Sequence, residues 1–352
     1  MYDARDSMTQ LGSWGIGVMG RLTMKWSIEM VIAVIIMIAL LVPVPSGAQQ
    51  KWAAHDDLFS LSFPTDKDGW ACGRSGAIVH SSDGGMSWTR QVSGTTYTLT
   101  SIYFVDARTG WAVGNNGTIL HTSDGGATWE KQASPVEYYH MGVHFVSRDK
   151  GFVVSERTNI LATDDGGKTW AVVFKDEDFI LKSISFCDER HGWVVGEFGY
   201  TYRTEDGGEH WEKQGGHYDL DPDTGNLKGG DFFFDVIAVD PQTAWRVGIQ
   251  GIIEKTVDGG KTWQRVEAGI PQVPLYCISC DRASTLIVGG KGVCVNSADK
   301  GVTWQNARFE PTVEYSWIYH IARVGDSGFA ACGDEGAIYR KTSGSIWQRV
   351  AY

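Results

Sequence analysis

Positive charge is in short supply in this 352-residue chain: 31 Lys and Arg stand against 42 Asp and Glu, a formal net charge of −11. Residues 1–48 carry three charges of each sign, so the remaining body holds the whole deficit. No basic run and no aromatic RNA-binding motif offsets it. That argues against nucleic acid as a partner, because phosphate binding depends on clustered Lys and Arg. Catalytic signatures are missing as well: there is no Gly-x-Ser-x-Gly turn, phosphate-cradling loop or His-Glu-x-x-His helix. Cysteine is sparse, at six. Cys277 and Cys280 form the one C-x-x-C, within the strand-like run 275–281, where residues three apart point to opposite faces and do not readily share a metal or a bond. No second C-x-x-C or His pair completes a zinc site. Buried thiols are the expectation, with Cys72 and Cys332, at matching repeat positions, as the pair to inspect for a disulfide. No metal and no cofactor is expected.

Apolar residues are not lacking. They make up 42% of the chain, with 15 Trp, enough for a packed core. One uninterrupted apolar run, 30–42, follows Arg21 and Lys25 and precedes small residues at Ser46 and Ala48. This is the layout of a secretory signal cleaved after Ala48, and the run is short for a membrane span, which needs about 20 residues. Residues 1–48 therefore read as a signal peptide or an uncleaved anchor, 49–58 as a lead-in, and the body as exported, whether periplasmic, lumenal or extracellular. Membrane contact is expected only through the N-terminal segment, if it is retained.

From 59 to 352 one motif recurs, [Ser/Thr]-x-Asp-Gly-Gly-x-[Ser/Thr]-Trp. It ends at Trp88, Trp129, Trp170 and Trp263, departs only at His210 before Trp211 and at Lys300 before Trp304, and survives without its Asp before Trp347. The spacings are 41, 41, 41, 52, 41 and 43 residues. A Gly-x-x-Gly element precedes six of the seven copies, and in the third it is replaced by Ser155–Thr158. Each unit reads as four short strands with Gly-rich turns. In the second unit these are 100–105, 110–113, 118–122 and a last strand starting at Thr128. Seven such units predict an all-β, seven-bladed β-propeller of four-stranded antiparallel blades, each blade owning its four strands. In the turn, Asp83, Asp124, Asp165, Asp206, Asp258 and Asp299 are expected to cap backbone N–H groups, the glycines to supply positive φ, and the Trp to pack between blades.

Units such as Gly110-Trp-Ala-Val-Gly-Asn-Asn-Gly-Thr-Ile-Leu-His-Thr-Ser-Asp-Gly-Gly-Ala-Thr-Trp129 resemble those of the photosystem II stability/assembly factor family and its bacterial relatives, across nearly all of 59–352. The resemblance implies an exported or lumenal, non-enzymatic propeller whose partners are protein subunits of a membrane complex. In a photosynthetic host that complex would be the photosystem. The sialidases also carry Asp boxes, but their Phe-Arg-Ile-Pro motif is absent here. A glycan-processing or glycan-binding propeller is the alternative reading.

Alternating strand direction puts the blade-to-blade connections and the turns between second and third strands on one face, opposite the Asp boxes. Loops on one face of a repeat array often bind. That face offers Tyr97, Tyr138, Tyr139, Phe179, Tyr276, Tyr315 and Trp317, with Arg74, Arg157 and Lys291, the residue types that anchor protein interfaces. The protein is expected to be a monomer. Two further patterns invite inspection. Polar residues recur three places before five of the six Asp (His80, His121, Arg203, Lys255, Asn296, with Ala162 in the third unit), reading as a solvated strand face or as a surface for an acidic partner. The run Asp219-Leu-Asp-Pro-Asp resembles the start of a calcium loop, but Thr224 and Gly230 stand where such a loop needs Gly and Glu, so a solvated acidic loop is the preferred reading.

Overall fold

The computed structural model describes residues 56–225, 227–281, 284–314, 316–326, 328–342 and 346–350. The proposed signal segment, residues 51–54, Tyr315 and part of the seventh copy of the motif lie outside the described residues. No helix among the described residues is long and apolar enough to cross a membrane.

Among the described residues seven blades follow one another along the chain, each built on four consecutive antiparallel strands, with a separate two-stranded ribbon, Asp219–Leu220 and Leu227–Lys228, between blades 4 and 5. Blade 2 is representative: Leu99–Phe104, Gly110–Gly114, Thr118–Thr122 and Glu130–Gln132, counted from the channel outward. The last strand begins two residues later than the sequence suggests. Thr128 is held in the preceding turn, where its N–H and hydroxyl donate to Asp124 at 2.9 and 2.7 Å. Gly125 and Gly126 complete that turn at φ 76° and 81°, left-handed values that side chains rarely tolerate.

The apolar core is divided into seven clusters, and each straddles two neighbouring blades. In blades 1, 2 and 3 the aromatic residue of the second strand lies flat on a Phe of the next blade's first strand, and that Phe meets the edge of its own Asp-box Trp. Trp70, Phe104 and Trp129 form one such group, with centroids 3.7 and 5.8 Å apart. Trp111, Phe145 and Trp170 form the next, at 3.4 and 5.9 Å. A glutamine from the outer strand then bonds the two blades. Gln91 Nε2 donates to Gly125 O at 2.8 Å, and its Oε1 accepts from Trp129 Nε1 at 3.3 Å. Gln132 repeats this with Gly166 and Trp170. Gln214 donates to Gly259 O at 2.7 Å. In blade 3 the matching residue is Val173, and the buried Trp211 Nε1 of blade 4 has no hydrogen-bond partner. The Val173→Gln variant is expected to supply this bond and raise stability by about 1 kcal/mol, read as a thermal midpoint about 2–4 °C higher. An unchanged or lower midpoint would contradict the role given to the glutamines.

The polar series on the third strands is only partly solvated, and Arg203 is buried. His80, His121, Arg203 and Lys255 lie directly across from second-strand Trp residues and cover them, whereas Asn296 lies across from Ile287. His80 stacks on Trp70 at 4.5 Å and His121 on Trp111 at 5.1 Å. Arg203 and Lys255 sit over Trp193 and Trp245 at 5.0 and 4.9 Å. Arg203 is only 5% exposed and donates to Pro241 O of blade 5 at 2.7 Å.

Among the described residues no strand is exchanged to close the ring. Blade 7 meets blade 1 through a shared core of residues including Leu58, Leu61, Trp88, Val324 and Ile338. Polar contacts reinforce it: Leu61 N donates to His320 Nδ1 at 3.2 Å, Glu335 N to Asp57 Oδ1 at 3.0 Å, and Arg340 Nε to Gly84 O. Blade 7 also carries a fifth strand. Arg308–Glu310, from the connection after blade 6, pairs in parallel with Ile346–Arg349 and stacks Phe309 on Trp347 at 5.2 Å. All six cysteines are free, Cys72 and Cys332 included.

The six Asp-box carboxylates tie stability to pH. Asp124 is held at about 2, first by the Thr128 N–H, then by the hydroxyls of Thr128 and Thr122. Asp83, Asp165, Asp206, Asp258 and Asp299 are also held at about 2, from an ordinary value of 3.8. A carboxyl depressed on folding contributes stability that is complete above its unfolded pKa and is lost as pH falls through the folded one. Thermal midpoints are therefore expected to drop between about pH 4 and pH 2, and Asp124→Asn to flatten that drop. A midpoint constant down to pH 2 would contradict this.

Candidate binding face at the channel mouth

Each inner strand enters from a blade-to-blade connection, and its second residue faces the channel. Around the ring these are Phe59, Thr100, Met141, Lys182, Phe234, Tyr276 and Tyr319, at one mouth of a central channel of about 780 Å³. A bulge follows this position in most blades, so the second and third residues are often both half-buried instead of alternating.

The ring is divided by chemistry. Blades 5, 6, 7 and 1 contribute a crescent of five touching, half-buried aromatic rings. Phe234 contacts Tyr276 at 5.3 Å, Tyr276 stacks on Trp317 at 5.6 Å, Trp317 contacts Tyr319 at 5.8 Å, and Tyr319 contacts Phe59 at 5.1 Å. Lys291 lies over Trp317 at 5.2 Å. Burial raises the pKa of both tyrosines, so their hydroxyls stay protonated and able to donate. Across the channel the ring holds no aromatic residue and is formed by Thr100, Met141 and Lys182. Burial pushes the Lys182 amine down, while Glu197 and Glu156 draw it back up.

The turns between second and third strands hold this mouth in shape. Glu156 accepts from Tyr139 N at 3.2 Å, Glu197 from Ile180 N at 3.2 Å, and Asp334 from Trp317 N at 3.0 Å. Each ties down the chain as it enters an inner strand. One layer deeper, Asp235 spans three blades, accepting from Ser183 Oγ at 2.6 Å, Ile278 N at 2.9 Å and Val236 N at 2.9 Å. Burial raises its pKa to about 6 despite these donors.

Of the residues expected on this face, Tyr276, Trp317 and Lys291 come together in the crescent. Tyr138 lies beneath Arg157 at 4.8 Å on the far side, and Arg157 approaches Asp178 at 3.9 Å. Tyr97 is 44% exposed. Tyr139 is half-buried beside Glu156, and Arg74 is paired with Asp57 at 2.6 Å. Phe179 is not available: it is 9% exposed and packs against Phe198, Tyr200 and Tyr218. Sequence reasoning missed Phe59, Phe234, Tyr319 and Lys182. Aligning the second residue of each inner strand would have found them.

Other candidate chemistry is occupied. Asp221 accepts from the backbone of Asp223 and Thr224 at 2.9 and 3.1 Å, closing its own turn. Asp206 and His210, which lie near Glu209, pair at 2.7 Å within an Asp-box turn. The other channel-lining carboxylate, Asp106, is bonded to Arg148 at 2.8 Å.

A closed ring of seven blades with an aromatic, loop-lined mouth defines a binding propeller. The model of the photosynthesis system II assembly factor YCF48 family matches residues 47–123, 90–171, 128–215 and 222–351, and the chain belongs to that family. Among solved structures it is similar to YCF48 bound to D1 peptide, at 19% identity and a TM-score of 0.67 over 82% of this chain and 92% of that one. It is similar to YCF48 from Cyanidioschyzon merolae, at 16% identity and a TM-score of 0.65 over 80% and 94%. The GH74 enzyme of Niastella koreensis shares the fold, at 14% identity and a TM-score of 0.65, but the match covers 83% of this chain and 54% of the enzyme. No curated protein matches the sequence.

Proposed function

We propose that the protein is an exported, non-catalytic assembly factor that grips an extended segment of a membrane-complex subunit across the channel mouth. The observation that carries this reading is the five-ring crescent from Phe234 to Phe59, facing Lys182. Clustered Tyr and Trp rings held in place by their neighbours are the usual anchors of a protein interface. Two hydroxyls and a lysine are available to orient a backbone. Family membership supports the role, and one relative of this fold is solved with a D1 peptide. In a photosynthetic host the complex would be photosystem II. The shared fold of a GH74 enzyme supports glycan hydrolysis less well, since among the described residues the channel-lining carboxylates Asp106 and Asp235 are bonded to Arg148 and to Ser183, Ile278 and Val236.

The test is crosslinking of the tagged protein in its own host, with captured subunits identified by mass spectrometry. The Tyr276→Ala/Trp317→Ala variant is expected to lose capture at least tenfold while remaining folded. Unchanged capture would move the site elsewhere. Absence of any captured subunit, together with release of sugar from xyloglucan, would replace this reading with glycan processing.

A further inference from the structure

An outer strand presents unpaired N–H and C=O groups, and proteins protect such edges with charge, brevity or a cover. Six blades comply. Thr89–Gln91 carries Arg90, Glu130–Gln132 carries Lys131, and Glu212–Gly215 carries Lys213. Gln264–Arg265 and Gln305–Asn306 are two residues long. Ile346–Arg349 is covered by Arg308–Glu310. Blade 3 does not comply. Its outer strand is Ala171–Phe174, sequence AVVF, four residues without a charge. Val172 and Val173 are 40% and 43% exposed. Val173 stands where blades 1, 2 and 4 have a glutamine that donates to the next blade, so this edge gives up that interblade bond.

We infer that the outer edge of blade 3 is a docking strand. It takes an extended segment of a protein partner by β-addition, with apolar side chains along the segment and acidic ones at its ends. Blade 7 shows that an outer edge of this propeller accepts another strand, for there the chain supplies its own. The acidic ends follow from charge. Exposed Lys168 and Lys175 flank the strand, and neither makes an ion pair among the described residues. The carboxylates next to Lys175 are engaged elsewhere: Asp176 with the Tyr202 hydroxyl at 2.7 Å, Glu177 with Lys213 at 3.5 Å and Asp178 with Arg157 at 3.9 Å. Four residues are too few for a second copy, since a stable dimer buries about 1,200–2,000 Å². The edge lies on the rim, away from the channel mouth, and does not depend on what the mouth binds.

The probe is a fluorescein-labelled peptide, Glu-Val-Thr-Val-Thr-Val-Glu, titrated into the purified protein and followed by anisotropy, beside a peptide with Lys in place of both Glu. Saturable binding of the acidic peptide is expected, at least tenfold weaker for the Lys-ended one. Val172→Lys should weaken it at least tenfold. Val173→Gln should weaken it while matching or exceeding the wild-type thermal midpoint, which separates lost docking from lost folding. Amide exchange should slow at 171–174, and Tyr276→Ala/Trp317→Ala should bind as wild type does. No binding, equal binding by Val172→Lys, or equal binding of the Lys-ended peptide would overturn the proposal. A concentration-dependent dimer abolished by Val172→Lys would assign the edge to a second copy and also overturn it.

Discussion

Replacing Trp111 with alanine is expected to lower the unfolding free energy by about 3–5 kcal/mol. The ring is fully buried. It lies flat on Phe145 of blade 3 at 3.4 Å and is covered by His121. Its Nε1 donates to Gly166 O at 3.2 Å. Alanine would open a cavity at the blade 2–3 interface, where backbones tied by the Gln132 bond to the same carbonyl cannot collapse freely. Trp111→Phe keeps the stack and removes one hydrogen bond, an expected loss of about 1 kcal/mol. Urea unfolding followed by circular dichroism compares the two. A loss below about 1.5 kcal/mol for Trp111→Ala would mean that the stacked groups are not what holds neighbouring blades together.

A comparable loss is expected where charge, not apolar area, is buried. Arg246 donates from Nε and Nη2 to Glu254 Oε2 at 2.8 and 2.6 Å, and from Nη1 to Thr201 Oγ1 at 2.5 Å. Its guanidinium is sandwiched between Phe233 at 4.0 Å and Trp263 at 4.2 Å. Burial depresses its pKa, and the Glu254 carboxylate acts in the opposite direction. Arg246→Ala leaves Glu254 in a poorly solvated site without its partner, a loss of about 3–5 kcal/mol. Replacing both partners by Met and Leu is expected to recover most of that, because a buried pair contributes little beyond an apolar pair of similar volume. If the double variant were as unstable as Arg246→Ala, the bond to Thr201 in blade 4 would be the important contact.

What was legible in the sequence follows from what repeats. The Trp series with its spacings, the Asp before each Gly-Gly, and the second-strand aromatics recur at fixed offsets, so blade number and boundaries could be read directly. The interblade glutamines recur too, but only at 91, 132 and 214, too few to stand out from surface polarity. The third-strand histidines and arginines looked solvated because a polar residue on a strand usually is. The Trp directly across from His80, His121 and Arg203 becomes apparent only once the strands are paired. The mouth was read in part. Tyr276 and Trp317 were found from loop composition, whereas Phe59, Phe234 and Tyr319 sit beside a bulge that breaks the alternation marking an exposed face. Phe179 failed for the opposite reason: it lies in a connection, as binding residues do, but an aromatic cluster with Tyr218 draws it inward.

Closing the ring by contact alone has a consequence for chain entropy. Neighbouring blades meet across loops of about 41 residues, whereas Leu61 and His320 are 259 residues apart. With closure cost growing as (3/2)RT ln n, the final junction carries a penalty about 1.6 kcal/mol above that of an ordinary one. Arg340, the Asp57 bond and the shared core at that junction offset an excess that no other pair of blades bears. The junction of blades 7 and 1 is thus the one place where residues from opposite ends of the described chain must meet, and it is sealed by side chains and backbone bonds alone.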